Sequence, residues 1–164
     1  MQSNFTTQRL LLTSLKEDKD EFILELVNTP GWLRFIGDRN IHSASDAKAY
    51  ISKINQNPII KYWVVELLNE EIPIGIITFI KRDYLEFHDI GFAFLPEYAK
   101  SGYAFEATSV ILNYLVSERI TEQLLATTVP ENTNSIRLLT KLGFVENQEI
   151  EVDEKKLLVY RLSL

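Results

Sequence analysis

Cysteine is absent from this chain of 164 residues, which removes disulfides, thiolate metal sites and a cysteine nucleophile together. That absence is compatible with a cytoplasmic protein, which is the expectation. Histidine occurs only at His42 and His88, without a spacing that suits zinc, so no metal is expected. Glycine is scarce, with 6 residues, and neither GxxxxGK[ST] nor GxGxxG occurs. P-loop phosphoryl transfer and a dinucleotide fold therefore have no anchor. No run approaches the ~20 apolar residues that a membrane helix needs. The start, MQSNFTTQRLLLTSL, lacks the basic region and long apolar stretch of a secretory signal. Internal repeats, low-complexity tracts and long linkers are missing too.

What remains is an ordinary globular composition, 46% hydrophobic, in a length that suits one domain spanning residues 1–164. The net charge of −6, from 17 basic and 23 acidic side chains, works against nonspecific nucleic-acid binding. It makes a cationic partner, such as an amine or a basic protein tail, electrostatically easier.

Hydrophobic periodicity predicts strands at Arg9–Leu15, Lys61–Leu68, Ile72–Ile80, Glu86–Leu95, Gln123–Val129, Phe144–Val152 and Lys156–Leu162. It predicts helices at Asp18–Asn28, ended by Pro30-Gly31, at Ser45–Gln56 with Ser45 as N-cap, at Gly102–Ser117 and at Thr133–Leu142. Asn69-Glu70-Glu71 and Asp153-Glu154-Lys155 read as hairpin turns. This order points to a layered α/β domain with a mixed sheet.

The informative stretch runs from Phe94 to Ala107, FLPEYAKSGYAFEA, where a strand leads through a short polar loop into the clearest helix. The first turn of a helix carries N–H groups without partners and the positive end of the dipole, which together suit an anion. Gly102 lets the backbone approach a phosphate and Ala104 keeps the next turn uncluttered. Lys100 either adds a positive charge there or is simply solvated. A plain loop-to-helix transition is the competing reading of the glycine.

Four blocks in order, TQRLLLTSL at Thr7–Leu15, DIGFAFLPEY at Asp89–Tyr98, GYAFEA at Gly102–Ala107 and ENTNSIRLLTKLGF at Glu131–Phe144, resemble the GNAT superfamily of N-acetyltransferases. The resemblance is to the branch containing the ribosomal-protein alanine acetyltransferases. It implies a single-domain α/β fold with a mostly antiparallel sheet flanked by helices. That sheet would be splayed between the strands before and after the central helix. It also implies acetyl-CoA as acyl donor, with its pyrophosphate on the amides of Ala99–Ala104, among them Lys100, Gly102, Tyr103 and Ala104. Backbone groups of Phe94 and Leu95 and the side chain of Asn132 would then hold the pantetheine arm. Ala99 stands where the family usually has Arg or Gln, and Lys100 where a second Gly is frequent.

Acetylating an amine requires a neutral amine, a polarised thioester and a proton for the leaving thiolate. Asp89 is the general-base candidate, acting directly or through water, against the alternative of a strand acid bonded to a nearby loop. Ser135 is placed to polarise or relay a proton to the thiolate, against a hydroxyl bonded back to its own helix. Leu139 stands where many GNAT enzymes carry a tyrosine acid. Asn132 has a second reading as a helix cap, and Glu106 reads as an anchor for a nearby loop. Trp32, Phe35, Asp38 and Arg39, with the hairpin at Asp153–Lys155, would frame the acceptor. The expected partner is a primary amine, either a protein N-terminus or a small molecule such as a polyamine or aminoglycoside. A catalytically silent acyl-CoA-binding module is the alternative, and the assembly reads as monomer or homodimer.

Overall fold

The computed structural model describes Met1 and residues 4–163. Its strands are β1 (Asn4–Thr6), β2 (Leu10–Ser14), β3 (Ile60–Leu67), β4 (Pro73–Ile80), β5 (Asp89–Phe94), β6 (Gln123–Thr128), β7 (Val145–Val152) and β8 (Lys155–Ser163). The helices are α1 (Asp20–Val27), α2 (Pro30–Phe35), α3 (Ala44–Gln56), α4 (Tyr103–Ser117) and α5 (Thr133–Lys141). One eight-stranded sheet runs in the order β1-β2-β3-β4-β5-β6-β8-β7. Every neighbouring pair is antiparallel except β5–β6, which is parallel.

Helices cover both faces, so the central strands are buried on both sides and read as nearly continuous apolar runs. On one face Trp63, Val65, Ile77 and Ile90 pack with Ala107, Ile111 and Leu115 of α4. On the other, Val64 and Ile76 pack with Phe22, Ile23 and Leu26 of α1 and with Ile51 of α3. The β3–β4 register shifts beyond Val65, since Glu66 pairs Pro73 while Val65 pairs Gly75. Ile74 is the extra residue of this bulge, and it packs on the α4 face although Ile76 packs on the other.

Three local expectations are corrected. The helix expected over Asp18–Asn28 does end ahead of Pro30, at Val27, but Pro30 then opens the unforeseen α2 at the first helical position, where a missing N–H costs no hydrogen bond. The N-cap of α3 is Ser43, not Ser45, and its Oγ accepts from Asp46 N at 3.1 Å. The strand expected from Glu86 begins at Asp89. A short strand, β1, was also not foreseen; its Phe5 is held by the rings of Trp63 and Tyr114 at 6.1 and 5.1 Å.

Candidate active site

The site begins where the sheet comes apart. β5 and β6 register at a single pair, Asp89 with Leu125, and Leu125 N donates to His88 O at 2.9 Å. Beyond that point the strands diverge. Leu95 N donates to Ile74 O at 2.9 Å, so alternation turns the N–H and C=O of Phe92 and Phe94 away from β4 and into the gap. Phe94's ring lies across Gly75, where a Cβ would collide with it.

A cavity of about 520 Å³ opens on one side of the gap, lined by Phe94, the loop from Tyr98 to Phe105, and the α5 residues Asn134, Ser135, Leu138 and Lys141. A second, of about 550 Å³, opens on the other side among Asp89, Arg82, Tyr84, Thr127, Asp38, Arg39 and the hairpin residues Asp153 and Lys155. Phe92, Ala93, Asn132 and Ser135 line both, together with Trp32, Phe35 and Ile36 of the α2 segment. The two spaces therefore share a wall at the mouth of the splay.

The first cavity is made chiefly of main chain. Lys100 has φ +61° and Gly102 φ +82°, two left-handed residues that turn the loop into α4. Gly102 is the N-cap and no side chain caps it; the first amide bonded within the helix is Glu106 N, to Gly102 O at 3.0 Å. The amides of Tyr103, Ala104 and Phe105 are thus left for a ligand, with the dipole behind them. Lys100 is exposed on the rim. Lys141 also lines this cavity, its Nζ 4.4 Å from the centre of the Phe105 ring.

Arg9, which the sequence reading left out of the site, holds this loop from behind. It donates to Ser101 O at 3.0 Å and to Glu106 Oε2 at 2.7 Å, and sits over the Tyr103 ring at 4.4 Å. Thr7 Oγ1 and Arg9 N both reach Glu106 Oε1, at 2.6 and 3.0 Å. Burial would raise the Glu106 pKa, but these bonds and the Arg9 charge hold it below the usual value. Glu106 is an anchor, as expected.

The second cavity is made of side chains. Asp89 is 2% exposed. Its Oδ2 lies 3.1 Å from Arg82 Nε and accepts from Thr127 Oγ1 at 3.1 Å. Its Oδ1 is buried without a hydrogen-bond partner. Burial pushes the Asp89 pKa up, and Arg82 and Thr127 oppose that shift without cancelling it. A carboxylate with one anchored and one free oxygen, and with raised proton affinity, is equipped to take a proton.

Among the described residues Ser135 Oγ has no hydrogen-bond partner, so its hydroxyl is not spent on its own helix. Asn132 is the α5 cap, its Oδ1 accepting from Ser135 N at 3.2 Å. That leaves its Nδ2 free to donate at the shared wall. Leu95 is a correction: its N–H is spent on Ile74, its side chain is buried in the core, and it lines neither cavity. His88 stacks on Phe79 at 4.4 Å, on the face away from Asp89. Asp38 and Arg39 do not pair with each other; Asp38 Oδ1 accepts from Asn40 N at 2.8 Å, and both line the second cavity. Tyr84, Arg82, Asn134 and Lys141 were missed. Asn134, Leu138 and Lys141 recur at helical spacing with Ser135, a signal present in the sequence. Among the described residues, no three His, Asp or Glu side chains gather as a metal-holding group, and no helix is long and apolar enough to cross a membrane.

The family model for the acetyltransferase (GNAT) domain matches residues 9–145. The chain belongs to the GNAT acetyltransferase family. It is an acyltransferase by that membership, and the splayed sheet is the family's acetyl-CoA-binding fold. The uncharacterized N-acetyltransferase YnaD of Bacillus subtilis is 31% identical over 140 residues, covering 85% of this chain and 81% of that protein. Ribosomal-protein-S5-alanine acetyltransferase from Vibrio fischeri superposes with a TM-score of 0.82 at 18% identity, over 99% of this chain and 97% of that one. Spermidine N-acetyltransferase from Vibrio cholerae, solved with CoA and spermine, superposes with a TM-score of 0.81 at 18% identity, over 96% of each chain. At those identities the two structures share this GNAT protein's fold, while their acceptors differ from one another.

Proposed function

We propose that this GNAT protein transfers acetyl directly from acetyl-CoA to a primary amine, with the donor in the first cavity and the acceptor in the second. The observation that carries the reading is the shared wall: Ser135 and Asn132 line both spaces, whereas Asp89 lines only the second. The open amides of Tyr103–Phe105 suit the pyrophosphate, and the free main-chain groups of Phe92 and Phe94 suit a pantetheine arm laid along the gap. The amine nitrogen attacks the thioester carbonyl, the C–N bond forms and the C–S bond breaks. Asp89 Oδ1 accepts the proton lost by the amine, directly or through one water. Ser135 Oγ–H bonds to the departing sulfur and relays to it a proton drawn from solvent, while Asp89 returns the amine's proton to solvent, leaving CoA as the free thiol.

The assay is release of CoA thiol from acetyl-CoA with ribosomal-protein N-terminal peptides, polyamines, aminoglycosides and amino acids as acceptors. Thiol release with an acceptor, together with the acetylated amine in the product, is the expected result. Tight CoA binding with no acceptor consumed would favour a silent acyl-CoA-binding module, a reading that the buried, non-acidic Leu139 beside the second cavity also fits.

A further inference from the structure

The net charge of −6 favours a cationic acceptor only if the acceptor cavity shares that sign. Its mouth does not. Arg39, in the loop after α2, and Lys155, at the start of β8, converge on Gly37. A Cβ built at Gly37 would lie 3.8 Å from Arg39 Nη1 and 3.7 Å from Lys155 Nζ. Gly37 has φ +115°, a conformation that side-chain-bearing residues rarely adopt, and its missing side chain leaves the space between the two cations open.

Neither cation is neutralised. Among the described residues no carboxylate lies within ion-pair distance of Arg39 or Lys155. Asp38 and Asp153 line the same cavity without pairing with either cation, and Asp38 Oδ1 accepts from Asn40 N. Arg82, deeper in the cavity, is by contrast already matched by Asp89. Two like charges brought together without a counter-ion repel one another, and an anion between them relieves that repulsion. The same cavity ends at the buried, unpartnered Asp89 Oδ1. It therefore presents two unpaired cations beside Gly37 and a carboxylate at its base.

We propose that the acceptor is a small molecule carrying a carboxylate or phosphate as well as its amine, and that Arg39 and Lys155 bind the anionic group while the amine meets Asp89. This rests on the transferase reading above and narrows its acceptor. A polyamine, cationic along its length, places a charge against Arg39 and Lys155, and a neutral amine leaves them unmatched. A volume of about 550 Å³ accommodates an acceptor of amino-acid size.

The experiment begins with CoA binding to the intact protein by calorimetry, then measures thiol release with acceptors matched except for the anion. The pairs are amino acids against their carboxamides and phosphoethanolamine against ethanolamine, with spermidine and an acidic N-terminal peptide alongside. The anionic member is expected to lead its neutral partner in kcat/KM by roughly tenfold, and carboxylate against phosphate decides which anion fits. Arg39→Ala and Lys155→Ala should each cut that ratio by about fivefold through KM, without moving the melting temperature, and Arg39→Lys should restore part of it. Equal or better use of the neutral members, of spermidine or of the peptide overturns the inference. So does a ratio unmoved in both alanine variants, or CoA binding with no anionic acceptor consumed. Failure to bind CoA overturns the transferase reading as well, so the two failures are told apart.

Discussion

The two cavities that meet at the splay are built from different materials. On the donor side the ligand-facing groups are main chain: the amides of Tyr103, Ala104 and Phe105 and the edge of β5 at Phe92 and Phe94. On the acceptor side they are side chains: Asp89, Arg82, Tyr84, Arg39 and Lys155. Main-chain groups are held by backbone conformation, so substitution of an exposed loop residue such as Ala99 leaves them in place. Side-chain groups change with every substitution. Under the proposed reading, recognition of the constant part of the reaction sits on the scaffold, and recognition of the acceptor sits on the loops and hairpin around it.

The largest break in that contrast is expected at Asp89. Asp89→Asn keeps the shape but removes the proposed proton acceptor, so turnover should fall by about 10²–10⁴-fold, with CoA affinity by calorimetry nearly unchanged. A matching loss of CoA binding would mean that Asp89 holds the fold of the gap rather than the chemistry. The pKa adds a second readout. Asp89 must be ionised to act, and burial raises its pKa, so the acidic limb of the pH–rate profile should lie above the ordinary aspartate range. For stability, the folded state holds this proton more tightly than the unfolded chain. The stabilisation is complete below the ordinary aspartate pKa and is lost as pH rises through the raised one. Denaturant titrations of Asp89→Asn should lack that decline.

Gly102→Ala tests the other side. At φ +82° a Cβ is strained, and it would sit 3.4 Å from Arg9 Nη2. Relief of the strain rotates the amides of α4 away from the ligand, and roughly tenfold weaker CoA binding is expected, with kcat at saturating acetyl-CoA little changed. Unchanged affinity would remove the amide cradle from the account.

How far such a contrast was readable beforehand follows the same division. The amide cradle was legible because a backbone site writes itself into local pattern: a strand, a polar loop, Gly102 and an amphipathic helix are contiguous. The face of β5 was legible too, since alternation separates Asp89, Gly91 and Ala93 from Ile90, Phe92 and Phe94 without any tertiary knowledge. The Asp153–Lys155 hairpin was placed at the acceptor by the resemblance alone. Arg82 and Tyr84 were not legible as neighbours of Asp89, because the path of the β4–β5 connection decides what they face. Nor was Arg9, whose partners Ser101 and Glu106 lie more than ninety positions along the chain. Pro30 was read only in part for a local reason: it stands between the end of one helix and the start of the next, and only the first of these was foreseen.

A smaller, graded effect on the acceptor side is expected from the groups that hold Asp89. Arg82 and Thr127 both lower its pKa against burial. Arg82→Gln should move the acidic limb of the rate profile further up, measured with one acceptor, and Thr127→Val should move it the same way by less. Removing a buried carboxylate's partner also destabilises the fold; with Arg82 one-third exposed, a loss of roughly 2 kcal/mol in chemical denaturation is expected. A limb that stays in place in both variants would mean that it belongs to another group.

The smallest expected effect bears on an exposed charge of the first cavity. Lys100 lies on the rim of the first cavity, exposed and at positive φ, where a backbone role and a charge role are separable by substitution. If the amides carry the pyrophosphate, Lys100→Gln weakens CoA binding by no more than about threefold, and the difference disappears as salt is raised past the screening of an exposed pair. Lys100→Gly, which relaxes the left-handed residue, should then bind CoA as well as Lys100→Gln does. A loss of tenfold or more in both variants would shift weight from amide to ammonium. The donor cavity would then depend on a side chain, as the acceptor cavity does, and the division between the two would fail at that residue.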